Sequence, residues 1–148
     1  MFQRIILAVC SLVIAACAGE RPKYLGVRDG MFKPCPSSPN CVSSQAADEK
    51  HRISPLAFKG EPGQAFSSLK HTLVSRSDTT VTETTAEYLR AEFRTRIGFV
   101  DDGEFLLDRS QSLIHVRSAS RLGYSDLGKN RSRMEEIRQQ FQTTEGQK

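Results

Sequence analysis

Two cysteines six positions apart, in the stretch KPCPSSPNCVSSQ (Lys33–Gln45), stand out as residues able to do chemistry. Cys35 and Cys41 could hold a metal, cycle as a redox pair, supply a nucleophilic thiolate or close a loop. Their spacing is wider than the Cys-x-x-Cys of thiol redox motifs, and structural zinc asks for four ligands at recurrent spacing. His51, His71 and His115, the three histidines, complete no such set with them. A catalytic thiol would need one cysteine free beside a base, for which His115 is the candidate. A disulfide needs only a loop that turns back. Pro34, Pro36 and Pro39, with Ser37, Ser38 and Asn40, supply that turn chemistry.

A second group runs from Arg117 to Arg131. Arg117 and Arg121 bracket Ser118 and Ser120, and a glycine-containing loop then delivers Ser125, Asp126 and Asn130 to a helix start. Guanidinium groups beside a helix N-terminus can hold an anion, so Arg117, Arg121, Ser125 and Arg131 form a candidate site for phosphate, carboxylate or a lipid head group. The competing reading is internal: Asp126 or Asn130 caps the helix, and the arginines pair with Asp101, Asp102 or Glu104. Arg90, Arg94 and Arg96, with His115 and Arg117, make either a basic ligand face or a solvated sheet face. Asp101-Asp102-Gly103-Glu104 lacks the ligand spacing of a calcium loop and reads as hairpin chemistry. Ser43 and Ser44 lack a nucleophile-elbow context. The sequence thus assigns no catalytic residue, no metal ligand and no cofactor.

The N-terminus fixes where such chemistry would take place. MFQRIILAVCSLVIAA has one early cation, Arg4, then an apolar run from Ile5 to Ala16. That run is shorter than the roughly 20 residues a spanning helix needs, and it matches a secretory signal. It ends in Ile14-Ala15-Ala16-Cys17, which resembles the lipobox of bacterial lipoproteins. The resemblance implies diacylglyceryl transfer to the Cys17 sulfur, cleavage after Ala16 and acylation of the new amino group. Several acyl chains make a durable anchor, since each buried methylene contributes roughly 0.8 kcal/mol. The expected location is the bacterial cell envelope, facing the periplasm. Ala18 after the cysteine favours the outer membrane in a Gram-negative cell. Cys10 leaves with the signal and Cys17 carries lipid, so Cys35 and Cys41 remain as a pair in an oxidising compartment, where a disulfide is the default. The formal charge of +4 mixes arginines with acids and gives no case for nucleic acid as a partner.

These residues need elements to position them. Residues 1–16 read as signal peptide, 17–33 as lipidated N-terminus and tether, 34–142 as one domain and 143–148 as a flexible tail. His51–Lys59 can form a short strand with an edge or bulge at Pro55. EPGQAFSSLKHTLVSR reads as a helix, with Pro62 in its first turn and Ala65, Phe66, Leu69 and Leu73 on one stripe. The period then changes to two. Leu89, Ala91, Phe93 and Ile97 share one strand face, with Tyr88, Arg90, Glu92, Arg94 and Arg96 on the other. FVDDGEFLLD and SLIHVRSASR add strands, the first turning at Asp101-Asp102-Gly103. NRSRMEEIRQQFQ gives a second helix, burying Met134, Ile137 and Phe141. Without βαβ alternation the expected fold is α+β: an antiparallel sheet of about four to six strands with two helices on one face.

Four pieces together resemble one known family: the lipobox, CPSSPNCVSS, YLRAEFRTRIGFVDDGEF and IHVRSASRLGYSDLGKNRSRMEEIR. The resemblance, over residues 33–141, is to domain of unknown function 1499. It implies export or lipid anchoring and passes on no catalytic residue. The expectation is a non-enzymatic binding or scaffolding module, with the membrane as partner through its anchor and an anionic small molecule or envelope component as candidate ligand. An envelope enzyme using His115 with Cys35 or Cys41 is the alternative.

Overall fold

The computed structural model describes residues 18–146. Among these residues the named elements are, in chain order, β1 (Val27–Arg28), β2 (Met31–Phe32), β3 (Cys41–Ser43), β4 (Leu56–Ala57), α1 (Pro62–Val74), β5 (Thr79–Thr84), β6 (Tyr88–Arg94), β7 (Val100–Asp108), β8 (Leu113–Ser120) and α2 (Lys129–Gly146). Six strands form one antiparallel sheet in the order β3-β8-β7-β6-β5. The short β4 also pairs with β8, and β1 and β2 form a separate hairpin. The architecture is α+β, as the change of hydrophobic period from 3.6 to 2 predicts.

Alternation sorts each central strand into two faces. Leu89, Ala91 and Phe93 of β6, Phe105 and Leu107 of β7, and Ile114 and Val116 of β8 face the helices. Ala65, Phe66, Leu69 and Leu73 of α1 and Met134, Ile137 and Phe141 of α2 complete that core. Pro62 opens α1, where its missing N–H leaves no bond unmade. Asp126 starts α2 by accepting from the backbone N–H of Gly128 at 3.0 Å and of Asn130 at 2.7 Å, as a capping carboxylate does.

Four expectations are corrected. The run Asp101-Asp102-Gly103-Glu104 is the buried middle of the single nine-residue strand β7, and no turn forms there. Each acid has an arginine partner, which removes the reason a charged run would seek a turn. The β6–β7 turn lies instead at Thr95–Phe99, so Ile97 is 74% exposed and does not join the core. Residues 18–33, read as a tether, fold onto the polar face of the sheet, and their hairpin is closed by Asp29 and Gly30, both at positive φ. The helix α2 continues to Gly146, beyond the boundary expected for a flexible tail.

Gly103 permits the tightest approach in the sheet. It lies between Ala91 and Ser118, and a Cβ there would overlap the ring of Phe93, which lies across it. Gly103→Ala should therefore lower stability by about 1–3 kcal/mol, the range for overpacking, as measured by urea denaturation. An unchanged midpoint would mean that the Phe93 ring has another place to go.

Candidate functional site

The polar face of the sheet carries the charges that the sequence marks as candidates, and the chain itself covers them. Glu104 and Arg117 are cross-strand neighbours on β7 and β8, each 1% exposed. Arg117 donates from Nη1 to Glu104 Oε2 at 3.1 Å and from Nε to the Lys33 carbonyl at 2.9 Å. The other Glu104 oxygen accepts from the Gly26 backbone N–H at 2.7 Å and the Tyr88 hydroxyl at 2.8 Å. Burial, and then the negative charge of Glu104, push the Tyr88 phenol above its ordinary pKa, so it stays a donor.

Arg121 makes the second ion pair of this face. Its Nε and Nη2 grip both oxygens of Asp102, at 2.8 and 2.7 Å, and Nη2 also reaches Glu92 at 2.7 Å. Arg21, from the covering segment, closes on the same Glu92 oxygen. Burial alone would raise the Glu92 pKa, but bonds from Arg121 and Arg21 outweigh it and hold the carboxyl below the usual glutamate range. Tyr24 of the same segment lies with its ring centroid 4.6 Å from the Lys33 ammonium and 5.9 Å from the Arg117 guanidinium. Residues 19–33 thus form a strap fastened by Gly19, Arg21, Gly26 and Lys33.

The third acid of β7, Asp101, faces the helices and meets Arg133 of α2 at 2.8 Å. The guanidinium stacks 4.7 Å from the Phe93 ring centroid, while its Nε has no hydrogen-bond partner among the described residues. Asn130, fully buried one turn earlier, donates to Ser120 Oγ at 2.9 Å, Asp126 Oδ2 at 2.8 Å and the Asn40 carbonyl at 3.3 Å. The sequence reading assigned Arg133 no role. Asp101, Asp102 and Glu104 are answered by Arg133, Arg121 and Arg117, all on or after β8, and three neighbouring acids in one strand were the signal that such partners were needed.

The four candidate anion-binding residues are not brought together. Arg117 and Arg121 are engaged as above. Ser125 folds its hydroxyl back onto the Leu127 N–H at 3.2 Å, and Arg131 donates to the carbonyls of Arg52 and Lys50. For Arg117 and Arg121 the partners, Glu104 and Asp102, are those of the internal reading. Arg94 and Arg96 lie at the open end of β6, away from the buried part of the face. His115 has Ser44 Oγ 3.2 Å from Nδ1 and Asp108 3.8 Å from Nε2. Cys35 and Cys41 are joined in a disulfide, so neither is a free thiol that could work with His115. The stapled loop is pinned from both sides: Asn40 donates to the Gly123 carbonyl at 2.7 Å, and the His51 ring meets the Ser38 carbonyl at 3.0 Å. Among the described residues no group of His, Cys, Asp or Glu is arranged to hold a metal ion, and no helix is long and apolar enough to cross a membrane. Cys17, the expected lipidation site, lies outside the described residues.

A cleft of about 270 Å³ opens between the β6–β7 turn and the loop after β8, lined by Ile97, Phe99, Leu122, Leu127, Ser125 and Lys129 among others. Of the candidate anion residues only Ser125 reaches it.

The family model for protein of unknown function DUF1499 matches residues 31–141. The chain belongs to the DUF1499 family. No curated protein and no solved structure matches it significantly. The match takes in the stapled loop, the sheet, the three ion pairs of β7 and α2 up to Phe141, and it starts within the β1–β2 hairpin of the strap.

Two outcomes test this account of the DUF1499 polar face. Removing one partner of a buried ion pair leaves the other charge stranded, at about 3–5 kcal/mol. Glu104→Gln should therefore destabilise the domain by that order in urea denaturation, and combining it with Arg117→Met should recover part of the loss. A double variant as weak as the sum of the two singles would rule out the coupling. The second concerns acid. A carboxyl whose folded pKa is depressed contributes stability above its unfolded value, near 4.3 for glutamate, and loses it as pH falls through the folded value. For Glu92, stability should fall on acidification from about pH 5, with Glu92→Gln starting lower at neutral pH but falling less steeply. Equal slopes would remove Glu92 from the acid response.

Proposed function

We propose that this protein is a lipid-anchored component of the bacterial cell envelope, whose domain works at the membrane surface as a non-enzymatic binding or scaffolding module. The lipobox-like Ile14-Ala15-Ala16-Cys17 supports the anchor. A disulfide suits an oxidising, periplasm-facing location. The observation that carries the reading is the strap. An anchor at Cys17 on a free linker would let the domain wander, whereas residues 19–33 are bonded to the sheet at four places. An anchor two residues before Gly19 would hold the domain against the bilayer.

The same geometry redirects the search for a ligand. An anion at Arg117 or Arg121 would have to displace Glu104 or Asp102 from a bidentate or buried pair, so an envelope component is better sought on the exposed end of the sheet. Ala18 after the cysteine supports the outer membrane in a Gram-negative host.

Expressed with its signal in a Gram-negative bacterium, the protein should partition into detergent and carry the mass of a lipid-modified N-terminal peptide beginning at Cys17. Cys17→Ser should release it from the membrane fraction or leave it unprocessed. An unmodified, soluble wild-type protein would overturn the anchor.

A further inference from the structure

Five of the eight large apolar side chains exposed among the described residues gather at one end of the sheet: Ile97 and Phe99 on the β6–β7 turn, and Leu122, Tyr124 and Leu127 on the loop after β8. Leu127 is 96% exposed and sits at φ 53°, a left-handed backbone that a leucine adopts only at a cost. Isolated exposed apolar residues need no explanation, but a cluster on two facing loops around a cleft marks an interaction surface. Its rim carries more cations than free acids. Arg94, Arg96 and Lys129 are exposed and form no salt bridge among the described residues, while the nearby acids Asp101, Asp102 and Glu92 are paired with arginines and Asp126, in the cleft wall, is taken up in capping α2.

The start of the described chain lies at this same end. Gly19 packs so closely on Arg121 and Leu122 that a Cβ there would come within 3.0 Å of Arg121 Cβ and 3.1 Å of Leu122 Cγ. An acyl chain on Cys17 therefore leaves the protein two residues from a point in contact with the cluster. Apolar tips, an aromatic with a polar handle and flanking cations are the composition of a surface that settles into the interface of an anionic bilayer.

We propose that the loops Thr95–Phe99 and Leu122–Lys129 form a membrane-docking surface, entering the head-group region of the bilayer that holds the Cys17 acyl chains. The occupant is anionic lipid, and the domain stands on this end with the β7–β8 turn pointing away. The proposal rests on the lipid-anchor reading and adds an orientation to it.

The chain contains no tryptophan, so a single introduced one reports on its own position. The lipidated mature protein with Leu127→Trp or, in the β7–β8 turn, Gln111→Trp is reconstituted into phosphatidylglycerol-containing vesicles that carry lipids brominated near the top of the acyl chain. Leu127→Trp should shift to shorter wavelength and be quenched at least fivefold more than Gln111→Trp. Adding Arg94→Glu and Arg96→Glu should reduce that quenching with the thermal midpoint unchanged. Lipidated protein with equal quenching at the two positions overturns the docking surface and leaves the anchor standing. Protein that carries no lipid overturns both. A blue shift without vesicles, with mass rising with concentration in light scattering, assigns the surface to a second copy of the chain and overturns the proposal.

Discussion

The dehydrated ion pair between Glu104 and Arg117 sets the terms for the rest of this molecule. Taking two opposite charges out of water costs several kcal/mol per ion, and their attraction offsets this only when the remaining hydrogen-bonding capacity is also met. Here the pair cannot meet it alone. Glu104 needs the Gly26 N–H and the Tyr88 hydroxyl, and Arg117 needs the Lys33 carbonyl. Two of those three groups belong to the strap. A sheet face that looks solvated in sequence is thus a second interior, polar where the first is apolar, and residues 19–33 are its lid. Such pairs specify more than they stabilise: a register slip of one residue in β8 would carry Arg117 to the other face and strand both charges.

Period and charge were unequally legible. The apolar stripes of α1 and α2 and the alternation of β6 read directly, because burial against one layer forces those spacings. Asp101-Asp102-Gly103-Glu104 read as a turn, because three acids around a glycine have that composition. A carboxylate is buried in a strand only when a group from elsewhere neutralises it. The arginines that do so lie fifteen or more residues away in chain, or, for Arg117, across a strand pair whose register a single sequence does not fix. Gly103 likewise looked like turn chemistry, when its function is to leave room for Phe93. The strap reads as linker in sequence because it lacks apolar periodicity. Its bonds to the sheet are polar, and period-based reading is blind to those. Asp29-Gly30 was the one local hairpin signal in it.

At the candidate site the sequence supplied the right residues with two readings, and the geometry separates them. Arg117 and Arg121 stand where a basic ligand face would put them, but their carboxylates come from β7. The cysteine pair behaves as the oxidising-compartment argument expects, and its role extends past closing a loop. Cys41 lies in β3 beside Ala119, and the stapled turn delivers Asn40 to the loop after β8. Stiffness of that loop therefore depends on a covalent bond, on Asn130 in α2 and on the Arg121 pair at once.

That convergence bears on where an interacting surface can exist. The helix side of the sheet is closed by α1 and α2, and the polar side by the strap. Sheet edges are short at β3 and β4, and β5 carries threonines and glutamate, the kind of edge that resists pairing with another chain. The open apolar surface among the described residues is the end where the β6–β7 turn and the loop after β8 present their side chains on a base held by hydrogen bonds. Rigidity matters there. A leucine held at positive φ in a loop pinned by Asp126, Asn40 and Ser125 loses little further freedom on binding, so the contact area it offers converts into affinity with a small ordering cost. On the proposed anchoring, the strap then links two events that a flexible linker would separate. Lipid insertion at Cys17 would place the apolar end at the interface, and the Arg21–Glu92–Arg121 bridge beneath it would transmit any pull on the anchor to the middle of the sheet. Selection for a short, bonded connection would follow from that mechanical link, with the buried ion pairs as the means of fastening it.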